Sequence, residues 1–143
     1  MQSVSLKGFR DELEDWLVQR TRSNVSIYGE DDSPIERVYL RRGHRYINRS
    51  LVSSLELGSI SIKDLEQRLG WSKKILSLLD DAARRHGFDV VLVESVLNDD
   101  WRKATFTPAN GWQTYNQDLL TFWYPLHPQA GNHVIEDAPN LTR

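Results

Sequence analysis

The chain of 143 residues contains no cysteine. Disulfides, thiol nucleophiles and thiolate metal sites are thereby excluded together, and stability has to come from packing and hydrogen bonds, as suits a reducing compartment. No apolar run is long enough to span a bilayer, and Lys7, Arg10, Asp11 and Glu12 interrupt the region where a signal peptide needs an apolar core. The expectation is a soluble, cytoplasmic protein with no membrane association. A formal net charge of −2 provides no global attraction to nucleic acid or anionic lipid, so any such contact has to be local. His44, His86, His127 and His133 lack the paired spacing of zinc ligands, so no metal site is expected. No Gly-x-Ser-x-Gly turn marks a serine hydrolase. Asn140, Leu141 and Thr142 form a glycosylation acceptor pattern that a chain without a secretory signal would not use. There is no internal repeat and no low-complexity tract.

At 39% hydrophobic residues, the length suits one core. A single domain over residues 1–126, followed by an irregular tail over 127–143, is expected. Phe9, Leu13, Trp16 and Leu17 recur at helical spacing and predict an amphipathic helix over 5–21. Residues 23–34, with Asn24, Gly29, Asp31, Asp32 and Pro34, read as a surface loop. Short alternating stretches over 36–62 predict two or three antiparallel strands. In the last of them the apolar positions switch face, from Leu55 and Leu57 to Ile60 and Ile62, which places a β-bulge at Gly58. Ile75, Leu78, Leu79 and Ala82 mark the buried stripe of a helix that Gly87 would cap in the left-handed conformation. Val90, Val91, Leu92 and Val93 read as a strand buried on both faces. Asn98, Asp99 and Asp100 open a short helix interrupted by Pro108 and closed by Gly111, and residues 112–126 read as a further strand or hairpin. The order is α/β with a mixed sheet.

Between the last antiparallel strand and the capped helix lies Gln67-Arg68-Leu69-Gly70-Trp71-Ser72. A turn here would direct free amides, aided by the helix dipole, at an anion such as the pyrophosphate of a nucleotide-type cofactor. Together with residues 57–62, 75–83 and 88–98 and the pair Gly111-Trp112, this turn resembles the cofactor-binding core of the GNAT superfamily of acetyl-CoA-dependent N-acetyltransferases. The family's turn reads Gln or Arg, two residues, Gly, one residue, then Gly or Ala. Gln67 and Gly70 match it, and Ser72 fills the last small position.

The resemblance implies a mostly antiparallel mixed sheet flanked by helices, with a V-shaped splay between two central strands that admits the cofactor's pantetheine arm. It implies acetyl-CoA as cofactor, held by the amides of Gln67, Arg68, Leu69, Gly70, Trp71 and Ser72 and steadied by Asn98. The implied activity is N-acyl transfer by direct attack of a primary amine, with Glu56 and Glu94 as base candidates. The family's tyrosine acid falls at Thr107 here, which leaves the acid unassigned. Acceptors in scope are a small-molecule amine, a protein lysine or a peptide N-terminus. Pairing of the aromatic final strand across a homodimer is a further possibility.

Two other readings stand beside this one. The segment 62–79 also resembles a helix-turn-helix DNA-binding unit, with Leu65 and Leu69 on a first helix and Lys73 and Lys74 on a second. The other is a catalytically silent module of the same fold. Strand alternation would give it a face with several of Arg37, Arg41, Arg42, Arg45 and Arg49, suited to an acidic protein or a nucleic acid.

Overall fold

A computed structural model describes residues 2–29, 33–63, 68–96, 98–116 and 118–127, without the side chains of residues 2–5, 68 and 69. Its elements in chain order are α1 (Gln2–Gln19), β1 (Asn24–Tyr28), β2 (Ile35–Ile47), β3 (Ser50–Ile62), α2 (Arg68–Arg85), β4 (Val90–Val93), α3 (Asp99–Thr105), a 3₁₀ turn (Pro108–Asn110), β5 (Gln113–Asn116) and β6 (Thr121–Pro125). The strands form one six-stranded sheet in the order β1-β2-β3-β4-β6-β5. β3 and β4 run parallel and α2 connects them, while the other neighbours are antiparallel. The mixed α/β architecture expected from the sequence is the one observed.

Side-chain alternation divides the molecule into two layers. Phe9, Leu13 and Trp16 of α1, Ile75 and Leu79 of α2, and Trp101 of α3 share one core with Leu55, Leu57, Val91 and Val93 of the sheet. The residues between those strand positions, Val52, Val90 and Leu92, join Ile47 and Trp123 in a smaller cluster on the opposite face. The helices therefore lie on one face of the sheet. The other face is closed by side chains, Tyr115 among them.

Local chemistry explains the connections. β2 and β3 form a long hairpin whose two turn residues, Asn48 and Arg49, have φ of 52° and 67°, as a two-residue turn matched to strand twist requires. Arginine pays a steric penalty in that region, so Arg49→Gly is expected to raise stability by about 1 kcal/mol; an unchanged denaturation midpoint would contradict it. Gly87, at φ 79°, ends α2. Its amide donates to Arg84 O, and the Phe88 amide donates to Ala83 O, the bond pair of a Schellman cap. Asn98 caps α3, its Oδ1 accepting from the Trp101 amide at 2.8 Å.

Several expectations change. Residues 24–28 form strand β1, because Val25 and Ile27 alternate inward onto the core and the strand pairs with β2; the polar residues around them concealed this two-residue signal. Residues 36–62 form two long strands, with no third. α2 begins at Arg68, so Gly70, Trp71 and Ser72 lie in its first turns and not in a loop ahead of it. Only the first amides of the helix then lack intrahelical partners. The helix-turn-helix reading is overturned: Ile62 ends β3, and α2 packs on the sheet through Ile75, Leu79 and Ala82. Its proposed first helix includes residues 64–67, which lie outside the described residues. β6 is enclosed between β4 and β5, so the aromatic final strand has no free edge for a homodimer. Of the expected tail, His127 is described and its Nε2 pairs with Asp89 Oδ1, 3.0 Å away; residues 128–143 lie outside the described residues.

Candidate functional site

The parallel pair β3 and β4 separates halfway along. Their register runs from Ser54↔Val90 to Leu57↔Val93, and the Glu94 amide donates a last bond to Leu57 O at 3.0 Å. Beyond it β3 continues to Ile62 paired with β2 alone. The other chain turns off at Ser95, with φ 54°, and the Val96 amide donates to Leu120 O. A bulge lies at this point of β3. Tyr39 opposes Ser59 while Leu40 opposes Leu57, so Gly58 is the extra residue, as the sequence pattern predicts. A Cβ at Gly58 would come within 2.6 Å of Tyr39 Cδ2, so a side chain there would force that ring to move.

The wedge between the diverging strands is a cavity of 200 Å³ whose lining includes Ser59, Ile60, Ser72, Val96, Asn98 and Trp101. Two buried polar atoms at this wedge, Ser72 Oγ and Trp101 Nε1, have no hydrogen-bond partner among the described residues. An unsatisfied buried polar group costs about 1–3 kcal/mol, so a pair of them beside one cavity points to a ligand with polar groups. A larger cavity of 610 Å³ lies on the other side of the α2 start. Gly70, Lys73 and Leu76 of α2, Thr105, Trp112 and Tyr124 contribute to its walls. The first turns of α2 thus stand between two cavities, with Gly70 at one and Ser72 at the other. At Gly70 an added Cβ would meet nothing within 4 Å, so the backbone there is open to close approach.

Of the residues singled out from the sequence, Gly70, Ser72 and Asn98 come together around these cavities. Trp71 is buried in the core, with Lys74 Nζ 4.6 Å from its ring centroid. For Arg68 and Leu69 only the helical backbone is described, and Gln67 lies outside the described residues. Thr107 caps the 3₁₀ turn, its hydroxyl oxygen accepting from the Asn110 amide at 3.3 Å.

Glu56 and Glu94 lie beside each other on the sheet face opposite the helices, inside a network with Arg41 and Arg45. Arg45 donates to both Glu56 oxygens at 2.8 Å, and Ser54 Oγ donates to Glu56 Oε2 at 2.6 Å. Arg41 Nη2 bonds Glu56 Oε1 at 3.1 Å and also contacts Glu94, and Arg45 Nη2 reaches Glu94 Oε2 at 3.0 Å. Glu56 is 3% exposed. Burial would raise its pKa, but the hydrogen bonds from Arg45 and Ser54, the Arg45 charge and the Arg41 bond outweigh burial and hold it below the ordinary value. The side chain of Glu94 is more open, at 24% exposure.

The arginines of β2 divide by parity. Arg41 and Arg45 are committed to these carboxylates, and Arg37 donates to Ser26 Oγ at 3.0 Å and lies over Tyr39. Arg42 is on the helix side, where it bonds Leu17 O and Arg22 O and lies over the Trp16 ring. Arg49 occupies the hairpin turn. Sequence reasoning missed the network because its members are 11 to 53 positions apart, the separations of Arg45–Glu56 and Arg41–Glu94. It also missed Ser54 and Trp101, which carry no motif. A Glu on β3 opposite an Arg on β2 was the one available signal.

No protein-family model matches the chain, and no curated protein matches it either. Among solved structures it is similar to a chain of the KacTA–DNA complex, with a TM-score of 0.52 and 17% identity over 91% of this chain and 85% of that one. It is also similar to a mutant of the toxin AtaT bound to the C-terminus of the antitoxin AtaR, with a TM-score of 0.48 and 17% identity over 78% of this chain and 66% of that one. In an AtaT–AtaR structure that also holds acetyl-CoA, the TM-score is 0.46 and the identity 18%, over 63% of this chain and 57% of that one. The chain therefore spans less than the full AtaT chain, 66% and 57% in the two cases. At such identity the likeness is one of architecture alone. The chain has an acetyltransferase-like mixed α/β fold.

Proposed function

We propose that the chain binds acetyl-CoA along the start of α2 and transfers the acetyl group to a primary amine. The observation that carries this reading is the wedge between β3 and β4, with two orphaned polar atoms at its wall beside a helix N-terminus. The donor set fits the cofactor. The first amides of α2, next to the open backbone of Gly70, would hold the pyrophosphate, and Ser72 Oγ, Trp101 Nε1 and Asn98 would take the polar groups of the pantetheine arm. Acetyl-CoA, when bound, supplies a thioester carbonyl activated toward amine attack.

Of the two carboxylates, Glu94 is the one we assign to take the amine's proton, because it is the more exposed and follows the last paired residue of β4. Glu56 is buried, with a lowered pKa that makes it a weak base; its part is to hold Arg41 and Arg45 in place. Thr107 has no phenol, and its hydroxyl oxygen already accepts from a backbone amide. That observation favours the second reading, a module of this fold that binds cofactor or partner without turnover.

Calorimetry with acetyl-CoA and CoA, beside a thiol-release assay over small amines, lysine peptides and peptide N-termini, separates the readings. The transfer reading expects micromolar-range binding and turnover, and Glu94→Gln should lower kcat about a hundredfold at unchanged acetyl-CoA affinity. Binding without turnover on any acceptor selects the silent module. Absence of binding overturns the cofactor assignment.

A further inference from the structure

At the start of β4, the end away from the wedge, a second opening has two guanidinium groups, Arg20 and Arg42, in its wall. This cavity of 440 Å³ lies among the C-terminal ends of α1 and α2 and the middle of the β2–β3 hairpin, with Arg20, Arg42, His44, His86, Leu17 and Phe88 in its wall. Among the described residues, no carboxylate lines that wall. The Arg42 guanidinium is fixed by bonds to Leu17 O at 3.2 Å and Arg22 O at 2.8 Å and lies 4.7 Å from the Trp16 ring centroid. Burial and then the charges of Arg20 and Arg22 lower its pKa, which marks crowding of like charge at this point. The side chains of Arg20, Arg22 and His44 have no hydrogen-bond or ion-pair partner among the described residues. The two nearby carboxylates are both paired, each in part to a residue of the wall. Glu14 holds Arg85 at 2.8 Å and His86 at 2.6 Å, and Asp89 holds His127 at 3.0 Å and the Ser53 amide at 2.9 Å.

We infer that this cavity binds the phosphoryl group of a small phosphorylated molecule, at a site separate from the acetyl-CoA wedge. Guanidinium groups match phosphate oxygens in planar, charge-assisted hydrogen bonds, and two of them on one volume suit a divalent anion better than a single carboxylate. The size lies in the range of small-molecule pockets, and Leu17 and Phe88 offer apolar wall to the rest of such a ligand. A polynucleotide would need a row of cations along its backbone. Here Arg20 and Arg42 share one hollow, with Glu14 and Asp89 nearby to repel further phosphates.

Calorimetric titration of the full chain with pyrophosphate, with and without saturating acetyl-CoA, tests the site. Pyrophosphate should bind in both conditions. Arg20→Glu should weaken it about tenfold or more and Arg22→Gln by a smaller factor, while Gly70→Val leaves it unchanged and Arg20→Glu leaves acetyl-CoA affinity unchanged. Lack of pyrophosphate binding, or a loss in Gly70→Val that Arg20→Glu does not share, would overturn the inference. Tighter binding of a short single-stranded RNA than of pyrophosphate through Arg20 would overturn the small-ligand assignment. Because the site and the wedge are probed by different variants, failure of one leaves the other standing.

Discussion

Replacing Glu56 by alanine is expected to destabilise the protein by about 3 to 5 kcal/mol, the range seen when one member of a buried ion network is removed. The carboxylate is 3% exposed and accepts from Arg45, Arg41 and Ser54 at once. Without it, two guanidinium groups at the sheet face keep only Glu94 as a counter-charge. Equilibrium denaturation at pH 7 measures the loss, and a change below about 1 kcal/mol would show that solvent screens the network as it screens exposed pairs. Combining Glu56→Gln with Arg45→Gln should cost less than the two single changes added together, since the second removes the charge the first strands. The pH dependence has a definite sign. The folded-state pKa of Glu56 is lowered relative to the ordinary 4.5, so its contribution is complete above the unfolded value. It is lost as the pH falls below 4.5 through the folded value. The Glu56→Gln variant should therefore have a flatter acid limb than the native chain.

Gly70→Val is expected to reduce acetyl-CoA affinity about a hundredfold while leaving the fold intact. Glycine is the poorest helix former after proline, and Gly70 lies in the first turn of α2 with nothing within 4 Å of where a Cβ would stand. A side chain therefore strains nothing in the protein alone, and Gly70→Ala should raise stability by up to about 1 kcal/mol. The added methyl groups would instead enter the space between the two cavities, where the proposed pyrophosphate approaches the backbone. Opposite signs for stability and binding make the result specific: weaker binding with equal or greater stability cannot come from misfolding. Unchanged affinity would remove the cofactor from this turn.

These two residues also show how far the sequence could be read. Gly70 was singled out by the resemblance of its turn, and the structure places it in the first turn of α2 at a cavity wall. Gly58 was readable too, since the phase change between Leu57 and Ile60 registers an inserted residue without reference to any partner. The double-faced burial of β4, the stripe of α2 and the Gly87 cap followed from the same short-range logic. β1 was not legible, because its two inward residues are flanked by loop-forming ones and it is a strand only by pairing with β2. The start of α2 was placed too late, as Gly70 weakens the helix signal across its own first turn. Glu56 and Glu94 were singled out as base candidates, but their electrostatic state was out of reach, since Arg41 and Arg45 approach them across strands.

Periodicity, caps and turn chemistry depend on residues within a few positions of one another, so the linear order already set the α/β class, the bulge, the helix that ends at Gly87 and the buried strand Val90–Val93. The parting of β3 from β4, the exclusion of a free edge from β6, the neutralisation of Glu56 and the crowding of Arg20, Arg22 and Arg42 arise where distant segments meet. Pairing, burial and Coulomb interactions act through space, and only the folded arrangement assigns each group its neighbours.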